Sequence, residues 1–237
     1  MLGLFFINKP LIMNTKNQII QYLKERSALK QNIYDQTAKA FNLIKEIIYE
    51  IENEYNECLV GEDKRIRLKS EDGGEFTIKL KIAGDVLIFT MHSNIFEFPN
   101  NHEIWKNPGY KENPEKTYSG IISIYNFLAD SFKYDRNEDE GYLFGRIFIN
   151  KDDSFFTDGL RELGFIYPEF GKNFVSKENL KSIIEAAIAF ALKFDLFVPP
   201  FDDVYTLYVE DVKDKILKSK TKTGKRLGFQ YPLREDE

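Results

Sequence analysis

The chain has 237 residues, of which 43% are apolar and 30% charged, with a net charge of −5. That apolar share excludes a disordered polymer, and a chain this long removes roughly 70–75% of its unfolded surface from water, so its core needs no staple. One cysteine, Cys58, rules out an internal disulfide, and Cys58, His92 and His102 together fall short of the about four N or S ligands of a structural zinc site.

The opening MLGLFFINKPLI is apolar but has no basic leader, and Pro10 interrupts it. Met13 stands just before a polar helical pattern and is a candidate start. No later stretch runs about 18 residues without charge, so no membrane partner is expected and the chain is read as cytoplasmic. The excess of lysine over arginine fits an AT-rich bacterial genome.

Residues 16–57 hold no Gly or Pro and predict helix. Tyr34, Thr37, Phe41, Ile44, Ile48, Ile51 and Tyr55 form a stripe that Ala40, Leu43 and Ile47 widen, the pattern of packing against a core. The stripe lapses around Arg26, Ser27 and Lys30. A break near 26–32 is expected there, because an unbroken helix would outrun a globule of this size; the alternative is a projecting end that meets a partner.

An antiparallel meander follows. Arg65-Ile66-Arg67-Leu68 alternates, Asp72-Gly73-Gly74 signals a hairpin, and Phe76, Ile78, Leu80 and Ile82 alternate with Thr77, Lys79 and Lys81. Gly84-Asp85 turns the chain into a longer strand, 86–98. This pattern predicts one covered face and one wet face carrying Arg65, Arg67, Lys79 and Lys81. Residues 99–118 hold Pro99, Pro108 and Pro114 and predict an irregular loop, with Trp105 and Tyr110 as candidate ligand contacts. The segment 120–132 fits either a strand or a short helix, with Ile121, Ile124, Tyr125, Leu128 and Phe132 at helical spacing. Residues 142–150 and 154–157 predict a hairpin closed by Lys151-Asp152-Asp153. Ser176 is a good N-cap for a helix over 177–194 that is apolar nearly all round, and a last helix is expected to end near 219.

Candidate chemistry is thin. Between Lys213 and Arg226 seven basic residues face one acid, so Lys218, Lys220, Lys222, Lys225 and Arg226 are candidate anion contacts. No aromatic residue is interleaved for base stacking, and Thr223-Gly224-Lys225-Arg226 lacks the glycine and hydroxyl of a phosphate loop. Asp152 and Asp153, with Asp158 and the acidic 135–140 loop, are the weak candidates for Mg²⁺. Glu62-Asp63-Lys64 with Asp85 echoes a nuclease-type metal site, but the triplet precedes its strand. His92 and His102 are single candidate bases, and the acids around Cys58 disfavour its thiolate.

These readings give an α+β fold: a single antiparallel β-sheet, meander plus hairpin, covered by a long N-terminal helix and two C-terminal helices. Residues 1–15 form an extension, 16–219 one domain and 220–237 a polar tail. The expected function is a non-enzymatic binding or interaction module, self-associating or meeting a protein partner, without a cofactor. A Mg-dependent phosphoesterase or nuclease, and nucleic-acid binding through the basic sheet face and tail, are the alternatives.

Overall fold

The computed structural model describes residues 15–194 and Val209. The apolar opening, the expected last helix and the basic tail with Lys218, Lys220, Lys222, Lys225 and Arg226 lie outside the described residues.

Among the described residues, helical backbone runs from Thr15 to Cys58. α1 (Thr15–Tyr22) passes into a π-helical stretch, Leu23–Ser27, and then into α2 (Ala28–Cys58). Tyr22, Ser27 and Ala28 keep right-handed helical angles, so the break expected near 26–32 is replaced by a π segment within continuous helix. A π turn bonds i to i+5, which shifts the phase of the side chains without ending the helix. It falls beside the point where the apolar stripe lapses. The stripe of α2 is buried from Ile33 to Ile51, whereas neither α1 nor the π segment buries a residue.

The sheet has eight strands, all paired antiparallel. They are β1 (Lys69–Asp72), β2 (Thr77–Ile82), β3 (Asp85–Met91), β4 (Phe96–Glu97), β5 (Tyr118–Leu128), β6 (Tyr142–Asn150), β7 (Ser154–Gly159) and β8 (Asn173–Phe174). Spatial order follows chain order, with β3 and β4 sharing one side of the eleven-residue β5. The expected meander and hairpin are therefore one continuous sheet, joined through β5.

Three expectations are corrected here. Lys64–Ile66 is a 3₁₀ turn capped by Asp63, so Arg65 and Arg67 precede β1 and do not share a strand face with Lys79 and Lys81. The Asp63 carboxylate satisfies the Arg65 amide and also pairs with its guanidinium, which favours the turn over extension. The strand expected over 86–98 is divided into β3 and β4, although His92 N–H still donates to Ile121 across the gap. Finally, 118–128 is strand, with helix only at α4 (Ala129–Lys133). Its isoleucines fit both periods, and pairing on both sides with β3 and β6 decides for the strand.

The inner sheet face packs against α2 and α6 (Lys177–Leu192). Phe41, Ile44 and Ile48 of α2 meet Leu80, Phe89, Ile122 and Ile147 of the sheet, together with Ile183, Ile184 and Ala187 of α6. The two helices run in the same direction, because Glu50 pairs with Lys177 and Glu54 with Lys181 one turn on. The Ser176 hydroxyl accepts from the Asn179 amide, as its N-cap position predicts. At Gly120 of β5 a Cβ would overlap the Thr37 side chain, so glycine sets how closely α2 approaches the sheet.

The segment expected as an irregular loop is compact. A 3₁₀ turn (Glu103–Lys106), α3 (Pro108–Glu112) and a second 3₁₀ turn (Pro114–Thr117) fold over the outer face of the sheet. Pro108 and Pro114 each sit in a first turn, where their missing N–H costs nothing. Ile104 and Tyr110 pack there on Phe148 and Phe156 as a second, smaller core.

Candidate functional site

The outer face is where the sheet is only partly covered. Alternation along each strand puts Lys79 and Lys81 of β2, Thr90 of β3, Ser119, Ile121 and Ser123 of β5, Arg146 and Phe148 of β6, and Phe156 and Asp158 of β7 on that side. Register aligns Thr77, Thr90, Ser123, Arg146 and Asp158 as one polar row across five strands. The row beside it, Ile121, Phe148 and Phe156, is apolar and lies beneath the 98–117 cover.

Where the two rows meet the cover there is a cleft of about 250 Å³, walled by Phe96, Phe98 and Phe148 and edged by Ser119, His102 and Arg146. Arg146 donates from Nε to Asp158 Oδ1 at 3.0 Å and from Nη2 to Oδ2 at 2.6 Å. Its guanidinium carbon lies 5.0 Å from the centre of the Phe148 ring. The Asp158 carboxylate holds the guanidinium pKa above its usual range, so Arg146 is a fixed cation. Phe98 packs on Phe148, with 5.1 Å between ring centres, and lies 4.5 Å from the His102 ring. His102 Nδ1 accepts from the Ile104 amide, which places the proton of the neutral ring on Nε2.

The residues expected to contact a ligand fall in several places. Trp105 donates from its indole nitrogen to the Phe98 carbonyl at 3.3 Å and braces the cleft wall from behind. Tyr110 is buried, accepts from Asn150 Nδ2 at 3.5 Å and lines a separate depression of about 240 Å³ beside Lys116 and Asp152. Arg65 pairs with Asp63, and Arg67 sits half-buried after the same turn. Lys79 pairs with Glu71 directly across the strand at 3.0 Å, and Lys81 faces Lys69. The four cations expected on one wet face are thus split between a turn and β2.

The acids do not gather. Asp152 is held by Lys116 at 2.9 Å, and Asp153 adopts a left-handed turn conformation. Those two sit at one end of β6 and the 135–140 loop at the other, about 30 Å away along nine residues of strand, so they cannot share a Mg²⁺. Asp158 is committed to Arg146, and Asp85 accepts from Asn126 at 3.0 Å. Among the described residues no three His, Cys, Asp or Glu side chains converge. Cys58 is exposed, and His92 Nδ1 accepts from the Asn94 amide.

Arg146 was not among the candidates, although the strand carrying it was. Its alternation with the inward-facing Ile147 and Ile149 in 142–150 marks an outward cation, and that alternation was the available signal.

The second uncovered surface is the amino-terminal arm. Residues 15–32 are exposed apart from Gln18 and Leu29, which are half-buried. Ile19, Ile20, Tyr22 and Leu23 are 53%, 38%, 61% and 59% exposed within about one helical turn. The root of the arm is seated: Arg26 and Lys30 lie 5.9 and 5.6 Å from the centre of the Tyr118 ring. By contrast α6, also read from sequence as needing cover, is buried within its own chain along Leu180, Ile183, Ile184, Ala187, Ile188 and Ala191.

No protein-family model matches this chain, and no curated protein or solved structure matches it either. No helix among the described residues is long and apolar enough to cross a membrane.

Proposed function

We propose that this chain is a non-enzymatic interaction module that self-associates through its amino-terminal arm. One observation carries the reading: four large apolar side chains, Ile19, Ile20, Tyr22 and Leu23, stand exposed on a helix that overruns the core. Helical residues 15–58 span about 66 Å, against about 45 Å for a compact chain of this length. An isolated helix of this kind is marginal in water, and burial of its apolar side stabilises it.

Charge selects the cover. Lys16, Lys24, Arg26 and Lys30 against Glu25 give the arm +3, and the other 219 residues carry −8, together the −5 of the chain. Two arms laid side by side repel, whereas an arm laid on the acidic body of a second copy is attracted. Each copy supplies both surfaces, which favours a closed, reciprocal dimer.

Sedimentation velocity over micromolar concentrations tests this. The expected result is a dimer that weakens as salt rises, because exposed charges are screened. Ile20→Gln with Leu23→Gln returns it to monomer, since glutamine keeps the helix propensity and removes the apolar surface. A wild-type chain that stays monomeric throughout removes the proposal.

A further inference from the structure

The long helix has an outward side that runs its whole length. Counted at α-helical spacing, Ile19 and Leu23 would continue the buried stripe of Ile33, Thr37 and Phe41. The π segment, Leu23–Ser27, intervenes with one extra residue in its turn, which rotates everything upstream by about 100°. Lys16 and Ile20 thereby come into line with the side of α2 on which Asp35, Lys39, Glu46, Tyr49, Asn53 and Glu57 stand exposed.

Charge along this side is set against the helix itself. A helix dipole favours acids in the first turn and bases in the last. α1 has no acid in its first turn, and α2 has no base in its last. The arm carries +3, whereas five glutamates between residues 46 and 57 stand with no cation among them. Lys16, Asp35, Lys39 and Glu57 form no ion pair among the described residues. An order of charge that gains nothing within one helix becomes favourable beside a helix running the opposite way.

We propose, resting on the arm-mediated self-association above, that the surface receiving the arm is this same helix in a second copy, laid antiparallel about a two-fold axis at the level of Thr37. Residues equally far from the axis then face each other. Lys16 meets the partner's Glu57, Asp35 meets the partner's Lys39, and symmetry repeats each pair. Ile20 and Leu23 come down beside the partner's Tyr49, which is 39% exposed, and the partner's Asn53. Packed helices stand about 8–10 Å apart, within reach of all these side chains. A parallel pair would instead set arm on arm and glutamate on glutamate.

The test treats the full chain carrying Cys58→Ser, Lys16→Cys and Glu57→Cys with a short bis-maleimide. The two thiols lie about 62 Å apart on one helix, so a link between them joins two copies. The expected product is a covalent dimer linked between positions 16 and 57, mapped by peptide mass spectrometry. In sedimentation at low salt, Asp35→Lys should raise the dimer Kd about tenfold, and adding Lys39→Asp should restore it, because reversing both signs restores both cross pairs. All four positions are exposed, so the variants are expected to fold, and recovery in the double variant is a result that a folding defect would not give. A dimer that Ile20→Gln with Leu23→Gln disperses, but that links position 16 to position 16 or gives no link, overturns the antiparallel pairing and leaves the arm as the contact. Indifference of that dimer to Asp35→Lys does the same. A wild-type chain that stays monomeric overturns both.

Discussion

The two halves of the amino-terminal helix share one backbone conformation and differ in almost everything else. Over Ala28–Cys58 the apolar residues recur at helical spacing and eight side chains are buried. Over Thr15–Ser27 none is buried, although Ile19, Ile20 and Leu23 are as apolar as those downstream. The upstream half is helical with no residue buried among the described residues, so helical backbone and burial do not coincide along it. Among the described residues burial along the helix starts at Ile33, and Tyr118 is the ring that Arg26 and Lys30 of the arm approach.

That contrast is open to direct attack. Ile48→Ala removes a side chain with no exposure from the centre of the core and should cost about 2–5 kcal/mol, read from chemical denaturation. A loss below about 1 kcal/mol would mean that α2 is not locked to the sheet. Arg26→Ala with Lys30→Ala strips the cations from Tyr118 and should cost about 0.5–1 kcal/mol, seen as faster amide exchange over residues 23–32 with the core unchanged. The arm variant Ile20→Gln with Leu23→Gln should move monomer stability by less than about 0.5 kcal/mol, because both positions are exposed. A large loss there would show that the arm packs within its own chain.

Alkali sharpens the same boundary. Burial raises the pKa of Tyr118 at the root of the arm, with the nearby Glu97 carboxylate adding to it, and burial raises that of Tyr110 under the outer cover. A folded pKa above the unfolded value means that the native state holds the proton more tightly. Both tyrosines therefore contribute stability that is complete below about pH 10 and is lost as pH rises through their folded values. Denaturant midpoints measured upward from pH 9 should fall only beyond pH 10. A flat profile there would contradict the burial of both hydroxyls.

The outer sheet face repeats the lesson in β-structure. Lys79 and Lys81 alternate with Ile78, Leu80 and Ile82 as the sequence implies, and the inner residues are buried as expected. What alternation could not give was the neighbour: Glu71 stands opposite Lys79, so the expected basic patch is partly neutralised. The cleft shows the same limit. Phe98, Ser119 and Arg146 are far apart in the chain and meet because β5 is a strand that pairs with β4 on one side and β6 on the other. Reading 120–132 as an ambiguous segment hid that meeting, since a helix there would have severed the sheet.

The sequence by itself determined the elements whose signals are local: the stripe of α2, the hairpin glycines, the Lys151-Asp152-Asp153 turn, the Ser176 cap and the α+β class with one antiparallel sheet. Spacing and capping act within a few residues, so they are written in the order of the chain. Only the tertiary structure decided that the long helix stays unbroken, that α6 is covered without a partner, that the proline segment packs as a second small core, and which polar side chains share the outer face. Each of those depends on strand register or on where the sheet ends, and both are set by contacts between residues distant in sequence.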